Sequence, residues 1–253
     1  MSTIYQPAGA AAEYAAWAVN LHGGCPHRCR YCYVPQIRHL DRETFHSRVY
    51  SYPGIIERLA ADCRKKAGTI TTPVLLSFTS DPYPPDEPAM AVTREAIRTL
   101  KASGYAVCIL TKGGLRALRD VDLLEAGRDV VAATLTFVDP AKSAAWEPHA
   151  APPAERFELL AKAHAAGLRT WASLEPVIEP AESLAVIERT AGTVDLYKIG
   201  KLNYDKAAAG VEWAAFCRQA LDALRETGAA WYIKDSLVPY LPPGTPRQSG
   251  EFI

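Results

Sequence analysis

No apolar run in the sequence reaches the 18 or so residues that a membrane-crossing helix needs, so no membrane span is expected. There is no net charge either: 28 Lys and Arg stand against 28 Asp and Glu. That excludes the basic field by which a whole surface captures nucleic acid. Residues 1–16 have no basic stretch followed by a long apolar one, and a secretory signal is not expected. A disulfide framework is also missing, since there are six cysteines in 253 residues and three of them fall at positions 25, 29 and 32. In a large apolar chain this pattern points to the reducing cytoplasm, where clustered thiols hold metal.

What is present is a regular alternation of apolar runs and helical patterns. Strands are expected at 17–21, 74–79, 105–111, 130–138, within 168–178, at 195–200 and at 230–233. Helices are expected at 55–66, 88–102 with Asp86 as cap, 115–126, 154–166 closed by Gly167, 181–191 and 211–227. Short strands apolar on both faces and separated by helices build a parallel sheet. About six strand–helix units in this length predict an α/β fold, an incomplete (βα)6-type parallel barrel, with residues 1–235 as the core and 236–253 as a C-terminal tail, docked or disordered. The irregular stretches 22–53 and 139–153 follow strands and belong on the face where parallel α/β proteins bind ligands.

The first of these stretches carries Gly23-Gly24-Cys25-Pro26-His27-Arg28-Cys29-Arg30-Tyr31-Cys32-Tyr33. Thiolates are the ligands of iron–sulfur clusters, and three of them leave one iron of a cubane open. The competing reading is a non-catalytic zinc or iron–sulfur accessory protein, with His22 or His27 as fourth ligand, although zinc favours paired ligand spacings that are absent here. A cysteine-nucleophile hydrolase is a third reading and needs one of those histidines beside a thiol.

At Cys25, Cys29, Tyr31 and Cys32 the sequence resembles the radical S-adenosylmethionine (SAM) superfamily, whose signature is C-x3-C-x-aromatic-C after the first barrel strand. Within it the chain is most similar to the branch of spore photoproduct lyase and the DNA repair photolyase-like proteins. The segments Ser77–Pro85, Leu110-Thr111-Lys112, Arg119–Leu124, Glu147-Pro148 and Arg156 carry that similarity. The resemblance implies a [4Fe–4S] cluster on the three cysteines and SAM on its open iron. Cleavage of SAM by an electron from the cluster would give a 5′-deoxyadenosyl radical that takes hydrogen from a substrate. It further implies that Tyr31 touches adenine and that Ser80 and Asp81 face the SAM amino group, although an Asp-Pro turn explains Asp81 too. Lys112 could pair with the SAM carboxylate. Thr134 and Thr136, on one face of the fourth strand, could bond the ribose or simply pack there.

One departure concerns the chemistry. The lyase has a hydrogen-donating cysteine where this chain has Phe78, and a phenyl ring cannot return a hydrogen atom. Cys108 could substitute, but a buried inert thiol is the simpler reading, as it is for Cys63 and Cys217. Glu175 interrupts an apolar strand and calls for a cation such as Lys198 or Lys201. The expected partners are a substrate, with nucleic acid the leading candidate because residues 27–48 hold five Arg against two acids, and an electron donor such as flavodoxin or ferredoxin.

Overall fold

The computed structural model describes residues 2–203 and 205–250; Met1, Tyr204 and the last three residues of the tail lie outside that description. Seven strands run parallel in the order of the sequence: β2 (Trp17–Val19), β5 (Val74–Leu76), β6 (Val107–Thr111), β7 (Val130–Thr134), β8 (Arg169–Val177), β9 (Leu196–Lys201) and β10 (Ala230–Ile233). An antiparallel strand flanks each edge, β1 (Ile4–Tyr5) against β2 and β11 (Gln248–Ser249) against β10. The apolar runs become central strands because helices cover one face: α3 (Ile55–Lys65), α4 (Glu87–Ala102), α6 (Pro153–Ala165), α7 (Pro180–Thr190) and α8 (Trp213–Thr227). Ile55, Leu59 and Cys63 of α3, spaced by four, form its buried stripe.

The opposite face curls inward. Ala18, Leu75, Cys108, Ala132, Trp171, Leu196 and Ala230, one from each parallel strand, meet in a single cluster. Glu13, just before β2, reaches Asp235 and Arg247, just beyond β10, and a flat seven-stranded sheet would hold those edges far apart; the sheet is a partial barrel, the α/β architecture expected from the alternation. Among the described residues its edges do not pair with each other. The segment between β1 and β2, a 3-10 turn at Gly9–Glu13, bridges toward β10. Glu13 accepts from the Asp235 amide and pairs with Arg247, both at 2.8 Å.

Several boundaries differ from expectation, each because of contacts distant in sequence. The region expected as a helix at 115–126 is a 3-10 helix, Gly114–Leu123. Arg94 holds Asp120 at 2.8 Å and Asp122 at 2.6 Å, and an α-helix does not present residues two apart to one partner. The fourth parallel strand stops at Thr134, so Thr136 is not on it; Phe137 turns away into a small cluster with Ile178 and Leu202. The stretch 22–53 is ordered by a hairpin of β3 (His22–Gly23) and β4 (Tyr50–Ser51) and by two short helices, α1 (Val34–Ile37) and α2 (Arg42–Ser47), the latter capped by Asp41. A further helix, α5 (Pro140–Trp146), lies in 139–153. Asp86 caps α4 as expected, accepting from the Ala89 amide at 2.9 Å. Among the described residues no helix is long and apolar enough to cross a membrane.

Candidate active site

The cysteine loop begins where β3 ends, at the C-terminal end of the first parallel strand. Its path is set by the backbone. Gly24 has φ +71°, and a Cβ there would collide with the Arg48 carbonyl, so only glycine fits. Arg42 reaches in from α2 and donates to the carbonyls of Cys29, Arg30 and Cys32, the last two at 3.1 and 3.2 Å. His46 donates from Nδ1 to the Cys25 carbonyl at 2.7 Å. A second clamp comes from α5: the Arg30 amide donates to the Trp146 carbonyl at 2.8 Å, and the Arg30 guanidinium lies over the Trp146 ring.

All three thiols are free and each is at least half-buried. Burial raises the pKa of each. Cys29 rises to about 12, against the opposing pull of Lys112, and Cys25 and Cys32 are also raised. Cys29 and Cys32 both act electrostatically on Cys25, which places the three sulfurs in one neighbourhood. Among the described residues no three His, Cys, Asp or Glu side chains converge tightly enough to grip one bare ion. A cubane asks for something else, because each ligand caps a different iron and stands farther from its fellows than the ligands of a single zinc do. The donor set fits the cluster: thiols only, on a pre-shaped loop, with a buried cation nearby.

The histidines are engaged elsewhere. His22 is bonded through both ring nitrogens, to Ser51 and Thr93 at 3.0 Å each. His27 sits beside Asp81, Nδ1 to Oδ2 3.5 Å, and burial pushes its pKa down to about 4.

The other expected residues gather at the same end of the barrel. Ser80 donates to the Gly24 carbonyl at 2.5 Å, tying the turn after β5 to the cysteine loop. Asp81 is buried, and its carboxylate accepts from the Tyr83 amide (2.8 Å), the Thr111 hydroxyl (2.5 Å) and the Lys112 amide (2.7 Å). Burial alone would raise its pKa, but His27 and these donors outweigh it and hold the pKa low. Both of its oxygens are therefore occupied within the protein. Lys112 donates to the Thr134 hydroxyl at 3.3 Å and stands 5.6 Å from the centroid of the Tyr31 ring. Burial opposes its charge, yet Cys29, Glu147 and Asp81 together keep its pKa above the ordinary lysine value. Thr136 is buried with its hydroxyl unpaired.

Glu147 and Arg156, which bracket the loop after β7, prove to be one buried ion pair at 2.5 Å. The Tyr31 hydroxyl donates to Glu147, and Arg156 also donates to the carbonyls of Ala151 (2.7 Å) and Thr134 (3.0 Å). Burial alone would raise the Glu147 pKa, but Arg156 and Lys112 outweigh it. Across the barrel, Glu175 pairs with Lys234 at 2.5 Å and accepts from Tyr14, rather than pairing with Lys198 or Lys201. Lys198 donates to the Tyr14 carbonyl at 2.6 Å and lies 3.8 Å from the Trp171 ring centroid. Tyr14, Arg42 and Lys234 carried no sequence signal, because each arrives through the chain path rather than a motif. Cys108 is buried among apolar side chains of the interior, and Phe78 packs edge-on against Tyr14 at 5.8 Å.

Comparison with known proteins gives this geometry its context. An uncharacterized protein of Mycobacterium tuberculosis (strain ATCC 25618 / H37Rv), Rv2578c, is 32% identical over 185 residues, covering 70% of this chain and 54% of its own length. The uncharacterized protein ORF301 of Acidianus two-tailed virus is 28% identical over 178 residues, covering 65% and 56%. The chain thus spans about half the length of the curated relatives it matches. Among solved structures, Streptococcus suis SuiB bound to S-adenosylmethionine superposes with a TM-score of 0.62 at 11% identity, over 85% of this chain and 49% of that one. SuiB bound to its precursor peptide SuiA gives 0.61, over 81% and 45%. These structures share the fold. The family model of the Radical SAM superfamily matches residues 19–193, a span that contains the cysteine loop and every expected cofactor residue. The chain belongs to the radical SAM superfamily, and its cofactors are a [4Fe–4S] cluster and S-adenosylmethionine.

Proposed function

We propose that Cys25, Cys29 and Cys32 hold the cluster, and that the protein uses SAM to remove a hydrogen atom from a substrate at the barrel mouth. The observation that carries this reading is the three-thiol loop, fixed by Arg42 and Gly24 at the end of the first parallel strand, beside the charged Lys112. Bound there, the cluster and SAM supply one-electron chemistry able to attack an unactivated C–H bond. The protein's own groups position and shield. Lys112 offers a cation to the SAM carboxylate. The Ser80 hydroxyl keeps lone pairs for the amino group. Tyr31 offers its ring to adenine, and Thr134 and Thr136 offer hydroxyls to the ribose. Asp81 acts by holding Lys112 and His27 in place. Six free thiols support a reducing, cytoplasmic setting.

The turn 77–85, Lys112 and Arg156 support the photolyase-like branch, while Phe78 opposes thymine-dimer repair by that lyase's route. Support for a nucleic-acid substrate narrows as well. Of the five arginines in 27–48, Arg42 is bound to loop carbonyls and Arg28 pairs with Glu43.

The test is anaerobic reconstitution. About four irons per chain and release of 5′-deoxyadenosine on reduction with dithionite and SAM are expected, with both lost in Cys29→Ala. A protein that binds zinc but no iron–sulfur cluster would overturn the assignment.

A further inference from the structure

The barrel has a second opening, at the end opposite the cysteine loop. The residues around it stand where the parallel strands begin: Thr72 just before β5, Gly104 just before β6, Arg128 just before β7, and Arg169 as the first residue of β8. The cavity measures about 230 Å³. Pockets for drug-sized organic ligands run to roughly 300–1,000 Å³, so the occupant of this one is small or enters by one end only.

Two arginines give the opening its charge. Side chains alternate along a strand, so Arg169 shares the inward row of β8 with Trp171, which packs in the interior cluster. Val130, the register partner of Arg169, belongs to the same cluster, and Arg128 lies two residues before it. Among the described residues the Arg169 guanidinium makes no ion pair and no hydrogen bond. The carboxylates on these strand ends have other partners. Asp129 pairs with Lys101 and accepts from the amides of Val107 and Glu125, both at 2.7 Å. Asp195 accepts from the Thr170 amide at 2.7 Å and its hydroxyl at 3.0 Å. Glu125 takes Lys101 at 3.3 Å and Arg128 at 3.2 Å. Arg128 also donates to the Gly104 carbonyl, which still leaves N–H groups among its five. The Thr72 hydroxyl is buried and has no partner, and a buried donor without an acceptor is destabilising until one is supplied.

We propose that this opening is a binding site for a phosphate-type oxyanion, held by the Arg169 and Arg128 guanidiniums with the Thr72 hydroxyl as a further donor. Guanidiniums only donate, so the ligand must accept. The donors arrive from the ends of β5, β7 and β8 rather than from one plane, which suits a tetrahedral anion better than a flat carboxylate. Each arginine fork matches two phosphate oxygens. The phosphate is either the free ion or the end of a phosphomonoester whose remainder extends into solvent. The site needs neither the cluster nor SAM.

The full chain is titrated with inorganic phosphate and, separately, with glycerol 3-phosphate, against sodium chloride at matched ionic strength. Calorimetry reads binding, and thermal unfolding reads the stabilisation that a ligand of the native state confers. At least one of the two phosphates should bind and raise Tm beyond the chloride control. Arg169→Gln is expected to weaken that binding about tenfold or more and to abolish the phosphate-dependent rise in Tm. Without phosphate its Tm should equal or exceed that of the wild type, because no internal partner is lost and repulsion from Arg128 is relieved; a purely structural arginine would behave in the opposite way. Thr72→Val should weaken binding by a smaller factor, and Arg218→Gln, exposed on α8, should leave it unchanged. Tighter binding of the ester assigns the site to a phosphorylated metabolite, and tighter binding of inorganic phosphate assigns it to the free ion. Equal shifts of Tm with both phosphates and with chloride would overturn the proposal, and so would undiminished phosphate binding in Arg169→Gln.

Discussion

Tyr31, Glu147 and Arg156 on one side of the barrel repeat in kind what Tyr14, Glu175 and Lys234 form on the other: a phenol donates to a carboxylate that also pairs with a buried cation. The two sets differ in setting. The Glu147 side chain is fully buried, whereas that of Glu175 is 20% exposed. Arg156 also binds two backbone carbonyls with its fixed fork, while Lys234 supplies a single point charge. The first set joins the cysteine loop to the elements around β7 and serves as a lock. The second rests on an N-terminal segment that crosses the open side of the barrel, and it leaves a carboxylate edge within reach of solvent. The first pair is closed off from water, and the second keeps a fifth of its carboxylate side chain exposed.

The comparison breaks most readily at Glu147. Glu147→Ala strands the buried Arg156 charge and should cost about 3–5 kcal/mol in urea unfolding, with much of the loss recovered in Glu147→Ala/Arg156→Met. A loss under about 1 kcal/mol would mean the pair is not a lock. Tyr31→Phe removes one hydrogen bond to a buried carboxylate, worth about 1–3 kcal/mol. It should also speed iron loss to a chelator, which a purely distant stabilising role would not do. Glu175→Gln also leaves the buried Lys234 without its counter-charge, but the amide keeps a hydrogen bond and a lysine can shed its proton where Arg156 cannot, so it should cost less, about 1–3 kcal/mol; a cost matching that of Glu147→Ala would erase the distinction.

The smallest effect concerns Lys198, whose pKa burial lowers to about 7. Between that value and the ordinary lysine range the unfolded chain holds a proton that the folded chain does not, so this residue makes stability rise with pH through the window. Lys198→Met should raise Tm modestly at pH 7 and by less at pH 10. A gain that grew with pH would reverse the sign.

The cysteine spacing and the alternation of strands and helices were readable in one dimension, since both are local patterns. So were the Asp86 cap and the Pro-rich turn from Ser80 onward, although the strand before it ends at Leu76 and not at residue 79. The 3-10 helix at Gly114–Leu123 was not, because Arg94, twenty residues away and more, decides it by holding Asp120 and Asp122 together. The end of β7 before Thr136 escaped for a similar reason: Phe137 finds its partners at Ile178 and Leu202. Lys234 as the partner of Glu175 requires β10 to lie beside β9, a fact of topology.

The sequence by itself determined that three thiols share one loop, that this loop follows a strand, and that repeated strand–helix units carry it. Those facts need only neighbours along the chain. Tertiary structure alone decided that Asp81 is enclosed by its own turn and by Thr111 and Lys112, that Arg156 reaches Glu147 and through it Tyr31, and that residues 9–14 bridge the barrel's gap. Each joins groups brought together when the sheet curls, and a buried charge takes whichever partner that curling delivers.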